Sequence, residues 1–205
     1  MAEQEFYYTI EKEASAEFKD RGSKFIGYAI PVSSVEDFSE KLKEVKKLHP
    51  KATHHCFAYR LGLDGNVYRV SDDGEPSGSA GRPILGQIDS KELVNVLVVV
   101  VRYFGGTLLG VPGLINAYKS AAALALQTTP LVQKQVEQEL VVQFDYTQLN
   151  EIMRVVKQYN GRVVRQEMQL FCSMTVAVPR NRFTEISYIL KELRNVEVSP
   201  VKAAG

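Results

Sequence analysis

The chain has few cysteines, no long hydrophobic run, no excess of either charge and no long repeat, and each shortage removes a class of protein. Cys56 and Cys172 lie far apart and show no metal-ligand spacing, so neither a disulfide framework nor a zinc ribbon is expected, and reduced thiols in a cytosol fit better. The longest apolar run, Val96 to Val101, is too short to span a bilayer. The first residues, MAEQEFYYTI, are acidic and lack the basic and apolar stretches of a signal peptide, which gives an expectation of cytoplasmic location without a membrane partner. Lys plus Arg number 25 against 24 Asp plus Glu, so no global field draws nucleic acid and any anionic partner has to be held locally. Walker A spacing, a dinucleotide fingerprint and a GxSxG elbow are also missing; no specific nucleotide and no cofactor is indicated.

What is present is an ordinary globular composition, 45% hydrophobic over 205 residues, enough for one large or two small domains. Lys24 to Val32 reads as a strand and Ser33 to His49 as a helix, with a Ser cap and Val35, Phe38, Leu42, Val45 and Leu48 at helical spacing. The basic run from Lys41 to Lys51 lies on that helix's polar face and reads as solvated. THHCFAYRLG and NVYRVS flank an Asp-Gly turn and form a hairpin. VNVLVVVV (Val94 to Val101) is β-branched almost throughout, the pattern of a central strand covered on both faces. The Ala-rich segment from Leu114 to Leu126 is a helix able to lie close to it. Beyond Thr128 to Val136 the order changes to strand (Leu140 to Tyr146), helix (Thr147 to Asn160), strand (Arg162 to Met168), strand (Leu170 to Val178), helix (Arg180 to Arg194) and strand (Val196 to Val201). That βαββαβ order is ferredoxin-like. The expected division is an α+β domain over residues 1–132 and a ferredoxin-like domain over 137–205.

Two Gly-rich loops lead into helices with a proline near the first turn: SGSAGRPILG with Pro83, and FGGTLLGVPGLI with Pro112. Helix starts leave backbone N–H groups free at a positive dipole end, and glycine lets a ligand approach the main chain, so such loops can hold phosphate. Arg82 and Arg102 flank them and supply bidentate donors. Tight turns and close helix packing are the alternative reading of the same glycines. Asp72, Asp73 and Glu75 complicate a phosphate site by repulsion, unless arginines or a divalent ion neutralise them. They could also act as general acid or base beside His54 or His55. His54 and His55 are neighbours on a strand and face opposite ways. Ser77 and Ser79 lack an elbow, and Cys56 reads as a packing residue.

Together THHCFAYR (Thr53 to Arg60), SDDGEPSGSAGRPIL (Ser71 to Leu85) and VVVVRYFGGTLLGVPGLINAY (Val98 to Tyr118) resemble the YigZ/IMPACT family in its bacterial two-domain form. The resemblance covers essentially the whole chain. It implies an amino-terminal α+β domain like the second domain of a small-subunit ribosomal protein and domain IV of elongation factor G. It also implies a ferredoxin-like carboxy-terminal domain like domain V of that factor. By that likeness the bacterial members bind RNA or the ribosome, while eukaryotic relatives regulate translation initiation through protein partners; no reaction is attached to the family. Its DDGEP run falls on Asp72 to Pro76, its SGxAGxP run on Ser77, Gly78, Ala80, Gly81 and Pro83, and its RYFGG run on Arg102 to Gly106. Pro112 stands in place of a glycine, Asn116 in place of an arginine that would contact an anion, and His55 where asparagine is common.

The leading expectation is a translation-associated regulatory protein that binds RNA or the ribosome. Its binding residues would be Ser77, Gly78, Ser79, Gly81, Arg82, Arg102, Tyr103, Phe104, Gly105, Gly106 and Lys119, with the ferredoxin-like domain as a second contact surface. An enzyme of hydrolase type, using His54, Asp72, Asp73 and Glu75 with or without a metal, stays open beside it, as does a pure protein-interaction module.

Overall fold

An unbroken β-branched run has to be covered on both faces, and the computed structural model of the protein places it in that position. Residues 4–169 and 171–201 are described. They divide into two units, one over Tyr7–Lys134 and the other over Met1–Phe6 with Gln135–Gly205.

The first unit runs β1 (Phe6–Ile10), β2 (Ala14–Asp20), β3 (Ser23–Pro31), α1 (Val35–Leu48), β4 (His54–Leu61), β5 (Val67–Ser71), α2 (Gly81–Asp89), β6 (Val96–Tyr103), α3 (Gly110–Gln127) and β7 (Leu131–Gln135). Strands pair in the order β2-β3-β6-β4-β5, with every neighbour antiparallel, and β1 with β7 makes a separate two-stranded sheet. Alternation along β6 sends Val96, Val98 and Val100 into a core with α2 and α3. It sends Leu97, Val99 and Val101 to the other face, against Phe38 and Val45 of α1. The period of two therefore sets Arg102 on the α2/α3 face and Tyr103 on the α1 face. Helix α1 is capped by Ser34, whose hydroxyl accepts the Asp37 N–H at 3.1 Å. Ser33 closes the return contact, donating its N–H to the Asp37 carboxylate at 2.8 Å.

The second unit runs β8 (Glu137–Phe144), α4 (Leu149–Gln158), β9 (Arg162–Met168), β10 (Cys172–Pro179), α5 (Phe183–Lys191) and β11 (Val196–Pro200), with a 3-10 turn before each helix. Its sheet order, β11-β8-β10-β9, is antiparallel throughout, the split βαβ arrangement. Leu140, Val142, Met174 and Val176 cover one face with Ile152, Val156, Ile186 and Leu190 of the two helices. The expected start of a strand at Leu170 lies outside the described residues. Among the described residues no helix is long and apolar enough to cross a membrane.

Candidate functional site

The loop from β5 to α2 is organised by its first acid. Asp72 takes three backbone N–H groups on its carboxylate, from Gly78 at 2.8 Å, Ala80 at 3.0 Å and Gly81 at 2.8 Å. Burial pushes its pKa up, but those donors and the charge of Arg82 outweigh burial and leave it below the usual carboxylate value. The N-terminus of α2, whose cap residue Ala80 has no side chain to offer, is thus closed by a carboxylate from eight residues upstream. The N–H groups that the sequence offers to a phosphate are already donated. Ser79 is buried and donates its hydroxyl to the Pro76 carbonyl at 2.6 Å, while Ser77 and Arg82 are exposed.

Asp73 is likewise committed. Its carboxylate accepts the backbone N–H of His55 at 2.7 Å, and its carbonyl lies 2.8 Å from His54 Nδ1. A carbonyl only accepts, so the proton sits on Nδ1 and His54 Nε2 faces Glu75 Oε1 at 3.8 Å. His55 turns to the other face, where its Nε2 donates to the His49 carbonyl at 3.1 Å. Burial pushes the pKa of His55 down.

Glu75 is the centre of a buried network. Its Oε1 accepts from Arg102 Nη1 at 2.6 Å and from the Tyr118 hydroxyl at 2.7 Å, with the Glu75 and Arg102 side chains 4% and 6% exposed. Arg102 also reaches Ser23 Oγ at 3.4 Å, and its guanidinium lies near the rings of Phe25 and Phe104, at 5.4 and 5.6 Å. Its Nε is buried without an acceptor among the described residues. Such a pair is costly to break, because removing one partner strands a buried charge. Arg102 is thus internal, held by an acid of the same motif, and not a cation displayed to a ligand. Cys56 donates its thiol to the Asp72 carbonyl at 3.0 Å, and burial pushes its pKa far up, as it does that of Tyr118. No ready nucleophile results. Among the described residues no three His, Cys, Asp or Glu side chains gather as a metal set. Of the candidate enzyme residues, the fold brings His54 and Glu75 together and spends Asp72 and Asp73 on the backbone.

The loop from β6 to α3 is built differently. Tyr103 points away from it, to the α1 face, where its hydroxyl is 2.8 Å from His49 Nδ1; His49 Nε2 in turn is 2.6 Å from the Tyr28 hydroxyl. Phe104 is half exposed and its N–H donates to Thr53 Oγ1 at 3.3 Å. Gly105 is fixed by backbone contact: its N–H donates to Ser23 Oγ at 3.2 Å, and a Cβ there would stand 1.9 Å from the Gly22 carbonyl carbon. Gly106 has φ +86° and open space where a Cβ would point. The N–H groups from Gly106 to Leu109 have no acceptor among the described residues. Helix α3 begins without a capping side chain and without an acid in its first turn, and the sequence holds no Asp or Glu between Glu92 and Glu137. Lys119 and Asn116 are exposed on α3, and neither Lys119 nor Arg82 forms an ion pair among the described residues. The apolar side chains of Phe104, Leu108, Val111 and Ile115 in this region are exposed.

In the second unit, the sheet face turned from α4 and α5 carries the paired rows Glu167, Ser173, Gln143, Glu197 and Arg165, Thr175, Val141, Ser199. Neither row has an aromatic ring on which a base could stack.

The Impact N-terminal domain family matches residues 21–126. The chain is similar to the IMPACT family member YigZ of Escherichia coli (strain K12), 35% identical over 167 residues that cover 80% of this chain and 82% of YigZ. It is similar to the IMPACT family member YvyE of Bacillus subtilis (strain 168), 36% identical over 71% of this chain and 67% of YvyE. A crystal structure of a hypothetical protein aligns with 98% of this chain and 100% of its own, at 30% identity and a TM-score of 0.75. The two-domain translational regulator Yih1 aligns at 27% identity over 60% of this chain and 47% of its own, with a TM-score of 0.36 that carries no argument about shape.

Proposed function

We propose, for a chain that belongs to the IMPACT family, a translation-associated regulatory role exercised by binding RNA or the ribosome. The motif resemblance supplies the translational part of this reading, through the likeness to domains IV and V of elongation factor G that it implies. One observation carries the binding part. The start of α3 is an uncapped, acid-free helix end with exposed backbone, and Lys119 on α3 and Arg82 on the neighbouring α2 are exposed cations that make no ion pair within 4 Å among the described residues. An anionic partner meets a positive dipole end at α3 and exposed cations on α2 and α3, and the sequence from Leu93 to Val136 holds no acid to repel it. The binding face is therefore narrower than the motif residues: Arg82, Phe104, Gly106 and Lys119 take part, while Ser79, Gly81, Arg102 and Gly105 hold the loops in shape.

The test is binding of a single-stranded RNA, and of ribosomes, against salt concentration for wild type, Arg82→Ala and Lys119→Ala. Each lost phosphate contact flattens the log–log slope for the RNA by about 0.7. Slopes and affinities identical to wild type in both variants would remove the two cations from the site and the reading with them.

A further inference from the structure

In the second unit three stretches of chain meet at one end of the sheet. Pro179 of β10 stands opposite Glu137 of β8, so the end of β10 and the 3-10 turn Arg180–Arg182 that follows it lie beside the start of β8 and Gln135. Arg162 of β9 pairs with Ala177 of β10, which brings in the turn from α4 to β9. Asn160 makes that turn in the left-handed region, at φ +57°, and the Gly161 N–H donates to the Val156 carbonyl at 2.8 Å. Between them is a cavity of about 510 Å³ lined by Gln135, Gln158, Tyr159, Asn160, Asn181 and Arg182 together with Pro179. Small-molecule sites span about 300–1,000 Å³. Four of the lining side chains are amides, and none of the four side-chain amides has a hydrogen-bond partner among the described residues. Tyr159 and Arg182 hold each other instead. The guanidinium lies 5.8 Å from the ring centre, and Glu185 accepts from Arg182 Nη1 at 2.7 Å and from the Tyr159 hydroxyl at 3.1 Å. The cavity therefore offers two flat surfaces held in place and four free amides, with the charge of Arg182 already matched.

We infer that this cavity is a binding site for an adenine base, free or in a single strand of RNA. A charged ligand finds no unspent counter-ion among the lining residues, because Arg182 is paired with Glu185. A flat neutral base stacks on an aromatic ring or a guanidinium plane, and its edges then take hydrogen bonds. The choice among bases follows from what an amide offers, a donor beside an acceptor. Adenine matches that pattern on two edges, N6–H with N1 and N6–H with N7, so two amides hold it at once. Guanine shows two acceptors, O6 and N7, on the second of these edges, and the pyrimidines have a carbon where N7 would be. The inference does not rest on the proposed binding face, which belongs to the first unit, and it adds a base-reading site in the second.

The experiment titrates the full chain with adenosine and with inosine, which carries O6 and N1–H in place of the amino group and the bare N1. In parallel it compares short single-stranded RNAs of uridine that differ only in a central adenosine, inosine or uridine. The expected result is saturable binding of adenosine, tighter binding of the adenosine-containing RNA than of the other two, or both. Replacing adenosine by inosine should weaken binding by about tenfold or more, the loss of a bidentate pair. The Gln158→Leu/Asn181→Leu variant keeps the bulk of both side chains, removes two amides and should weaken adenine binding by about the same factor. Both replaced residues are exposed, and an unchanged melting temperature shows that the variant is folded. Binding of adenosine alone assigns the site to a free nucleoside or nucleotide, and discrimination among the RNAs without adenosine binding assigns it to RNA. Absence of both, equal binding of adenine and its inosine counterpart, or an indifferent double variant overturns the inference. If it falls while all the RNAs bind alike and with a salt-dependent affinity, the proposed phosphate contacts stand; if neither RNA nor ribosomes bind, both readings fall.

Discussion

At the start of α2 three backbone N–H groups meet a carboxylate of the same chain, whereas at the start of α3 the cap residue Leu109 offers none and the first turn has no acid. The two loops share their composition, glycines followed by a proline in the first helical turn, and in sequence they look like two copies of one phosphate cradle. What separates them is the acid triplet ahead of the first. Asp72 neutralises the helix end that follows it, Asp73 ties the loop to β4, and Glu75 reaches across to Arg102 and Tyr118. In the proposed reading the first loop is scaffold and the second is the surface that the scaffold presents, because Arg102, held by Glu75, is the next-to-last residue of β6, just before the open loop begins.

This comparison breaks most visibly at Glu75. Glu75→Ala should cost about 3–5 kcal/mol in urea unfolding, since it leaves the Arg102 guanidinium buried without its counter-ion. Glu75→Gln keeps an acceptor for Tyr118 and should cost less. A loss in Glu75→Ala no larger than that of a surface substitution would place Glu75 in a functional rather than a supporting role.

Gly105 and Gly106 sharpen the contrast within the open loop. Gly105→Ala forces a methyl group into the backbone at Gly22 and should destabilise by about 1–3 kcal/mol or more. Gly106→Ala meets no atom and incurs only the left-handed backbone penalty, about 1–2 kcal/mol. Thermal denaturation of the two variants side by side gives the order; the reverse order contradicts the contact with Gly22.

Asp72→Ala should cost about 0.5–2 kcal/mol, as loss of a helix cap does. The pKa of Asp72 is lowered in the fold, so its contribution is complete above the unfolded-state value of about 3.9 and is lost as pH falls through the folded value below that. Asp72→Asn should therefore lose stability at neutral pH and show less of the acid-induced loss that the wild type shows below about pH 4. A variant parallel to wild type at every pH would mean that the carboxylate charge does not hold the loop.

The smallest effects on stability belong to the proposed surface. Arg82→Ala and Lys119→Ala should each change unfolding free energy by less than about 0.5 kcal/mol, being exposed and without ion pairs. A larger loss would show that these cations serve the fold.

Much of the architecture is legible along the chain. The β-branched run of β6 and the Asp-Gly hairpin of β4 and β5 carry their periods openly, and so does the βαββαβ order of the second unit. Strands β1, β2 and β7 are silent. In β2 the inward positions are Ala14, Ala16 and Phe18, too small at two of three to stand out from the polar residues between them. The helix from Thr147 to Asn160 is shorter than its pattern, with a 3-10 turn up to Gln148, because Asp145 takes the Thr147 N–H at 3.2 Å and begins the turn two residues early. The site is less legible than the fold. Asp72 caps α2 from outside the three-residue reach of ordinary capping, and Glu75 finds Arg102 and Tyr118 through 27 and 43 residues of separation, so the partners of the acids emerge only once β6 and α3 are packed. Val111 and Ile115 stand at helical spacing in α3 and are exposed, but spacing alone does not say which side of a helix the core takes.

The division between a closed and an open helix start is tested most directly by amide hydrogen exchange of the chain, alone and with ribosomes. The account predicts slow exchange at Gly78, Ala80 and Gly81 in the free protein, where the N–H groups are held by Asp72, and fast exchange from Gly106 to Leu109, where no acceptor is present among the described residues. On ribosome binding, protection should appear from Phe104 to Lys119 and leave Gly78 to Gly81 unchanged. New protection at Gly78 to Gly81 with none between Phe104 and Lys119 would contradict it.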